Sequence, residues 1–184
     1  MDKHFYIPTS VGKLRVFQKH KFENRPVVVF LHDSLGCIEL WRDYPEKLCN
    51  QVKCNLLIYD RQGYGKSSGL SNPVRGNSYL ETEADILKEI LTSLNIKDII
   101  LSGHSDGGSI ALIYGAKYPE GVLGIITEGA HIFVENETIS GIKAAREIYK
   151  TTDPVSYTHL RAHETVLDLV CRLLLENKKH HTQY

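Results

Sequence analysis

The chain alternates short continuous runs of apolar residues with longer segments in which apolar residues recur every three or four positions. The continuous runs are rich in β-branched and aromatic residues, which is typical of strands covered on both faces. They lie at residues 26–31, 55–59, 99–101 and 122–127. Residues 13–18 instead alternate between polar and apolar, and they predict a strand with one covered face.

Helical periodicity marks the segments between these strands. The predicted helices lie at residues 38–48, 80–94, 107–114 and 136–149. Ser78 and Glu81 have the spacing of a capping box at the start of the second helix. Strands that alternate with helices predict right-handed crossovers, and therefore an α/β domain with a mostly parallel sheet and flanking helices.

Composition narrows the class of protein. The 184 residues are 42% hydrophobic and contain equal numbers, 22 each, of Lys plus Arg and of Asp plus Glu. A chain of this size buries a substantial core, and its balanced charge favours neither nucleic acid nor an anionic membrane surface as a partner. No apolar stretch approaches the roughly 20 residues that span a bilayer. Residues 1–8 lack the apolar region of a signal peptide. We therefore expect a cytoplasmic protein without nucleic-acid or membrane partners.

The cysteine and histidine residues do not form a recognisable metal site in the sequence. The four cysteines are Cys37, Cys49, Cys54 and Cys171. Their spacing fits neither the paired cysteines of a zinc site nor a disulfide framework. His159 and His163 could share one helix face, but no third ligand follows at a suitable spacing. We expect reduced thiols, no metal and no other cofactor.

The pentapeptide Gly-His-Ser-Asp-Gly at residues 103–107 follows the apolar run at 99–101 directly. This order predicts a serine, Ser105, on a sharp turn between a strand and a helix. Such a turn needs residues without side chains two positions before and two positions after the serine, because Cβ atoms would collide there. We interpret Ser105 as a nucleophile; a plain tight turn is the alternative.

Three motifs make the chain resemble the α/β-hydrolase superfamily over roughly residues 10–150. Residues 31–36, Leu-His-Asp-Ser-Leu-Gly, resemble the His-Gly loop after that family's third strand. Residues 59–67, Tyr-Asp-Arg-Gln-Gly-Tyr-Gly-Lys-Ser, are similar to its Asp-x-Arg-Gly-x-Gly-x-Ser segment. The elbow extends to Gly-His-Ser-Asp-Gly-Gly at 103–108. The three motifs follow each other in the family's order, each at the end of a predicted strand.

The resemblance implies a serine hydrolase that acts on an ester or a similar acyl substrate. Ser105 would attack a carbonyl carbon, and backbone N–H groups would bind the resulting oxyanion. The implied donors are the N–H of Asp106 and that of Ser34, with Asp33 as the alternative in the loop. Asp33 stands where the family usually has glycine, so its side chain narrows the pocket or brings negative charge near the oxyanion. Relatives that use an aspartate nucleophile are excluded, since Asp106 is one residue late and would point away.

The remaining polar residues near these motifs have competing interpretations. Glu128 ends the strand after the elbow helix and is a candidate for the catalytic acid, and His131 is a candidate base. The alternative that we favour is that both line the mouth of the pocket or cap the helix that leads into a lid. Loop hydrogen bonds or buried pairs are expected for His32, Asp60, Arg61 and His104, and core packing is expected for Trp41 and Tyr44.

The end of the chain departs from the resemblance. Residues 1–153 are interpreted as an incomplete α/β-hydrolase core, with a lid beginning near 133–153, that stops after about the sixth strand. Residues 154–184 resemble a translated assembly junction and are interpreted as a non-native tail, helical if ordered. The catalytic histidine would then be missing, as would the acid unless Glu128 serves as one, and the chain would be inactive or weakly active. The sixth strand would form an uncovered apolar edge. A non-catalytic binding or interaction module with this fold is the alternative.

Overall fold

The computed structural model describes residues 2–70 and 76–131, together with residues 136, 139–141, 143 and 144. Its strands are β1 (Asp2–Thr9), β2 (Gly12–Lys19), β3 (Val27–Leu31), β4 (Asn55–Tyr59), β5 (Ile99–His104) and β6 (Val122–Glu128). Its helices are a 3-10 helix (Ile38–Trp41), α1 (Tyr44–Val52), α2 (Tyr79–Ser93) and α3 (Asp106–Lys117). All these elements belong to one compact unit, residues 1–132. No helix in the described ranges has both the length and the apolar content needed to cross a membrane.

The strands form one mixed sheet in the order β1-β2-β4-β3-β5-β6. β1 pairs antiparallel with β2, and β2 pairs antiparallel with β4. The other three pairings are parallel, as the alternation of strands and helices predicts. Because β3, β5 and β6 run in the same direction, their carboxyl ends meet at one edge of the sheet. The loop after β3, the elbow and the end of β6 therefore lie together.

The central strand β3 is covered on both faces, which explains its continuous apolar run. Val27, Val29 and Leu31 belong to a core that includes residues of α2 and α3. Val28 and Phe30 belong to a second core, which includes α1 and the 3-10 helix. Successive side chains of a strand point to opposite faces, so every position of β3 is buried.

The prediction of one helix over 38–48 is wrong, because the structure contains the 3-10 helix and α1 instead. Pro45 lies in the first turn of α1, where its ring does not allow a helix to continue from the residues before it. Arg42 takes a left-handed φ of 52° and turns the chain between the two elements. Tyr44, which was expected in the core, is 51% exposed. Its ring meets that of Phe30 edge-on and stacks against that of Trp41, with ring centroids 6.2 Å apart.

Three further elements differ from expectation. β6 has the predicted position but is not covered on both faces as its apolar run suggests; Leu123 is 61% and Ile126 is 56% exposed, as expected for an uncovered apolar edge of the described sheet. Ser78 precedes α2 as predicted, but its side chain makes no capping hydrogen bond. β1 was not predicted; it contains Pro8, which is tolerated because β1 is the edge strand at the opposite side. The predicted lid and tail lie largely outside the described residues.

Truncation of a buried leucine should lower the free energy of unfolding more than truncation of an exposed one. Leu87 of α2 is fully buried, whereas Leu112 of α3 is 37% exposed. Leu87→Ala should lower the free energy of unfolding by about 3 kcal/mol, because it removes buried methyl groups and leaves a cavity. Leu112→Ala, the matched control, should lower it by less than about 1 kcal/mol. Urea denaturation followed by circular dichroism measures both, and equal losses would contradict the assigned packing.

Candidate active site

Ser105 occupies a strained turn between β5 and α3. Its φ and ψ are 52° and −119°, values that a residue with a Cβ rarely adopts. The Ser105 N–H donates to the carbonyl of Glu128 at 2.8 Å. The Ser105 carbonyl accepts from the N–H groups of Gly108 at 2.9 Å and Ser109 at 3.1 Å. These three bonds hold the serine backbone in a conformation that it would not keep alone.

The two glycines that flank the elbow are required by close backbone contacts. A Cβ on Gly103 would lie 2.2 Å from the carbonyl oxygen of Gly107. A Cβ on Gly107 would lie 2.0 Å from the carbonyl oxygen of Leu31, the last residue of β3. Neither clash involves a flexible side chain that could move away. The steric reason for glycine at these two positions is confirmed.

Backbone donors are available on both sides of the elbow. Asp106 is the first residue of α3. The N–H groups of a first helical turn have no partner within the helix, and they form the positive end of the helix dipole. Within the described residues, no acceptor is found for the N–H groups of Asp106, Ser34 or Asp33. Leu31 pairs with Gly103, so the loop after β3 begins beside the elbow. Both loop donors considered from the sequence, Ser34 and Asp33, therefore keep an N–H that no described residue accepts.

His32 shapes the loop after β3, as expected. Its Nε2 accepts the backbone N–H of Arg61 at 3.0 Å, and its Nδ1 lies 2.7 Å from the carbonyl of Asp33. A backbone N–H can only donate, so Nε2 carries no proton and Nδ1–H donates to the carbonyl. Both ring nitrogens are thus occupied in a neutral imidazole, and neither is available as a base.

The side chains of Arg61, Asp106 and Tyr79 form a polar layer next to the elbow, which the following contacts define. The Arg61 guanidinium donates to the carbonyl of Asp33 at 2.5 Å and lies 3.8 Å from the Asp106 carboxylate. The same carboxylate accepts a hydrogen bond from the hydroxyl of Tyr79. The Asp106 side chain is engaged in this layer, in agreement with the expectation that it points away from the reacting position.

Asp60 organises the loop that follows β4. Its carboxylate accepts the N–H groups of Ile38 at 2.7 Å and Lys66 at 3.0 Å and lies 3.5 Å from Arg15. A Cβ on Gly65 would lie 2.3 Å from its carboxyl carbon, so the loop wraps closely around the buried acid. Asp60 and Arg61 make the expected loop bonds, each with different partners.

A cavity of about 240 Å³ borders the elbow. Its wall consists of His32, Asp33, Gly36, Cys37, Leu40, Trp41, His104 and Glu128. His104 immediately precedes Ser105, and its Nδ1 lies 3.5 Å from Oδ2 of Asp33. Trp41 lines the cavity and also packs against Phe30 with ring centroids 5.4 Å apart, so it does more than the expected core packing.

Glu128 and His131 take different positions. Glu128 lines the cavity, as the favoured interpretation expects, and its backbone holds the Ser105 N–H. His131 is not part of the wall, and its backbone exchanges two hydrogen bonds with the Ser109 hydroxyl. Within the described residues, no side chain is hydrogen-bonded to the Ser105 hydroxyl. Neither candidate is placed on the serine.

Cys37 is a potential nucleophile in the cavity wall, whereas Ser105 adjoins the wall through His104 and is not part of it. Burial raises the pKa of its thiol above the ordinary value. The thiolate is the nucleophilic form of cysteine, so this environment disfavours its reactivity.

One group of possible metal ligands is found among the described residues, where atoms of Cys37, Glu39 and Asp60 lie within 4.8 Å of one another. The guanidinium of Arg15 already lies beside the two carboxylates. Arg15 lies 2.5 Å from Glu39 and 3.5 Å from Asp60. Burial opposes ionisation of Glu39, but the hydrogen bond and charge of Arg15 outweigh it and hold its pKa at about 2. A metal ion would have to displace this guanidinium, so the groups do not fit a metal site.

Comparison with known proteins identifies the family. Residues 26–152, more than half of the chain, match the model of the alpha/beta hydrolase fold family, and the chain belongs to that family. A curated relative is the 2-succinyl-6-hydroxy-2,4-cyclohexadiene-1-carboxylate synthase of Escherichia coli strain K12, which is 32% identical over 118 residues. That match covers 64% of this chain but 44% of the relative, so the chain spans less than half of the relative's length.

Solved structures show the same fold. MGS-M2, an alpha/beta hydrolase enzyme from a Medee basin deep-sea metagenome library, superposes with a TM-score of 0.73 at 20% identity. The superposition covers 96% of this chain and 63% of that one. A carboxylesterase from Bacillus subtilis superposes with a TM-score of 0.62 at 21% identity, covering 78% of this chain and 49% of that one.

Some features of the site could not be found from the sequence. Cys37 and Leu40 line the cavity from the 3-10 helix and the residue before it, where the sequence pattern predicts a longer helix. The bond from Tyr79 to Asp106 joins residues 27 positions apart and has no local signal. Cysteine, leucine and tyrosine also occur in many cores and surfaces that have no functional role, so their presence in the sequence does not indicate a site.

Filling the space at Gly107 should disrupt the elbow. Gly107→Ala should lower the free energy of unfolding by more than about 2 kcal/mol, because its Cβ would overlap a backbone carbonyl that cannot move alone. Gly69→Ala is the matched control, since nothing lies within 4 Å of the added Cβ. Urea denaturation should show near-wild-type stability for Gly69→Ala. Equal stability of the two variants would refute the close approach of the elbow to β3.

Proposed function

We propose that this chain carries the nucleophile and the oxyanion-binding groups of a serine hydrolase that acts on an ester or a similar acyl substrate. The observation that supports this most is the strained backbone of Ser105 at the end of β5, held between two glycines that tolerate no side chain. Membership of a hydrolase family gives the coarser part of the conclusion, that the chain derives from a hydrolase. The serine mechanism is our addition.

In the proposed reaction, the Ser105 oxygen forms a bond to the carbonyl carbon of the substrate and its proton passes to a base. The carbonyl oxygen becomes an oxyanion, which accepts hydrogen bonds from the N–H groups of Asp106 and Ser34. Collapse of this intermediate breaks the bond to the alcohol, which leaves with a proton. Water then attacks the acyl-serine and regenerates the hydroxyl. Preformed backbone donors suit this chemistry because they need no rearrangement when the charge develops.

The base is not among the described residues that contact Ser105. The neutral His32 has both nitrogens engaged, and His104 faces Asp33. The resemblance to the family implies a histidine much later in the chain, and a triad lacking either its serine or its histidine loses about a millionfold in turnover. We therefore assign no base or acid to the described residues, Glu128 included.

The substrates of the relatives are not transferred to this chain. The E. coli relative is named a synthase of a cyclohexadiene carboxylate, and the B. subtilis protein is named a carboxylesterase. The first match covers 44% of that relative's length, and the second rests on 21% identity. For this chain we propose only acyl or carbonyl chemistry at a serine, and no particular substrate.

Covalent labelling tests the nucleophile. A fluorophosphonate should add one phosphonyl group to the full chain at Ser105, but far more slowly than to a complete triad, because the oxyanion donors remain while the described residues supply no base. Ser105→Ala should abolish labelling. Ser93→Ala, which removes an exposed hydroxyl at the end of α2, should leave it unchanged. Intact mass and peptide mapping measure the adduct; a folded chain that is never labelled would instead support the non-catalytic binding module.

A further inference from the structure

Asp33 places a fixed carboxylate on the wall of the cavity beside the elbow. Its Oδ1 accepts the N–H of Leu35 at 2.8 Å, and its Oδ2 lies 3.5 Å from Nδ1 of His104. The side chain is 19% exposed, so it is held from two sides and only partly screened by solvent. Arg61 is close by, but it donates to the Asp33 backbone carbonyl and not to the carboxylate.

A second acidic residue, the solvent-exposed Glu128, also lines the cavity. Glu128 ends β6 beside β5, and its register partner is His104. Within the described residues, Glu128 takes part in no ion pair, and no lysine or arginine lines the cavity. His104 offsets at most one of the two formal negative charges, and only when it is protonated. The formal charge of the described wall is therefore negative, and the Arg61 guanidinium behind Asp33 and the positive end of α3 reduce it without belonging to the wall.

The rest of the wall is apolar and aromatic. Leu40 is 54% exposed at the cavity, and the indole of Trp41 forms part of its lining. An aromatic face attracts a cation, and a quaternary ammonium or an alkylated amine combines positive charge with apolar surface. Two carboxylates beside an indole are complementary to such a group and repel a carboxylate.

We infer that this cavity binds the positively charged group of an amine or quaternary ammonium substrate in preference to an uncharged group, and that it rejects carboxylates. The inference rests on the proposed function in so far as the bound molecule is a substrate of Ser105. Asp33 and Glu128 are the residues that determine the preference. Asp33 acts from the loop that would also supply an oxyanion donor.

The single tryptophan allows a direct measurement of the potential. For caesium and for iodide, the Stern–Volmer quenching constant of Trp41 is divided by the constant for free N-acetyltryptophanamide. The normalised ratio, caesium over iodide, should be greater than one. Asp33→Asn and Glu128→Gln should each lower this normalised ratio by about threefold, since each removes one nearby charge. Glu120→Gln is the matched control: Glu120 is exposed and precedes β6, at the opposite end of the strand from Glu128. A normalised ratio below one, or one that neither cavity variant changes, would overturn the inference.

Ligand binding tests the chemical class. Benzyltrimethylammonium, benzyl alcohol and phenylacetate have similar size and differ in charge, and Trp41 fluorescence reports their binding. The expected order is cation, then alcohol, then anion, with about tenfold between the first and last dissociation constants. Asp33→Asn should reduce the ratio between the dissociation constants of the anion and the cation, and Glu120→Gln should leave this ratio unchanged. Phenylacetate binding as tightly as the cation would contradict the inference.

The two proposals can fail separately. Fluorophosphonate labelling reports on the Ser105 oxygen, whereas quenching and binding report on the charge of the cavity without any turnover. If labelling fails and the charge order holds, the cavity still selects cations and the serine mechanism is wrong. If labelling succeeds and the charge order fails, the hydrolase remains and the inferred substrate class is wrong.

Discussion

The contact between the backbone of Gly107 and the carbonyl of Leu31 determines how the site is assembled. Only a glycine allows this approach, because a Cβ would lie 2.0 Å from the carbonyl oxygen. The contact brings the first turn of α3 against the end of β3. Ser105 must then turn sharply out of β5, which is why it takes a left-handed φ. The loop donors and the helix donors meet at the same end of the sheet for this reason.

Buried polar side chains then keep the loops in place. His32 connects the loop after β3 to the backbone of Arg61, and the Arg61 guanidinium returns to the Asp33 carbonyl. Asp60, which is fully buried, binds the chain at Ile38. A buried polar group without a partner is costly, so each of these bonds resists a change in the path of the loop. The N–H groups of Ser34 and Asp106, which have no acceptor among the described residues, are therefore held before any substrate arrives, as the proposed oxyanion binding requires.

The sequence predicts the parts of the molecule that depend on local patterns. The bounds of β4 at 55–59, the parallel core of the sheet and the glycines of the elbow agree with the structure. It does not predict features that depend on distant partners or on position in the sheet. The exposure of β6 follows from its place at the edge, and the break before Pro45 depends on one ring. The sequence predicts a negative charge at Asp33, but the cavity wall combines residues from three separate segments, so only the folded chain places Glu128 and Trp41 in the same wall.

Asp33 sets two electrostatic requirements of the proposed reaction against each other. A carboxylate in the loop that carries the Ser34 N–H raises the energy of an oxyanion nearby, as Coulomb's law requires. The Leu35 N–H, the imidazole of His104 and the positive end of α3 reduce this effect but do not remove the charge. A glycine in the same place would avoid it altogether. A cationic group bound in the cavity would offset the carboxylate at the moment the oxyanion forms. The charge that hinders reaction of a neutral substrate is thus compensated by the substrate that the cavity is inferred to prefer.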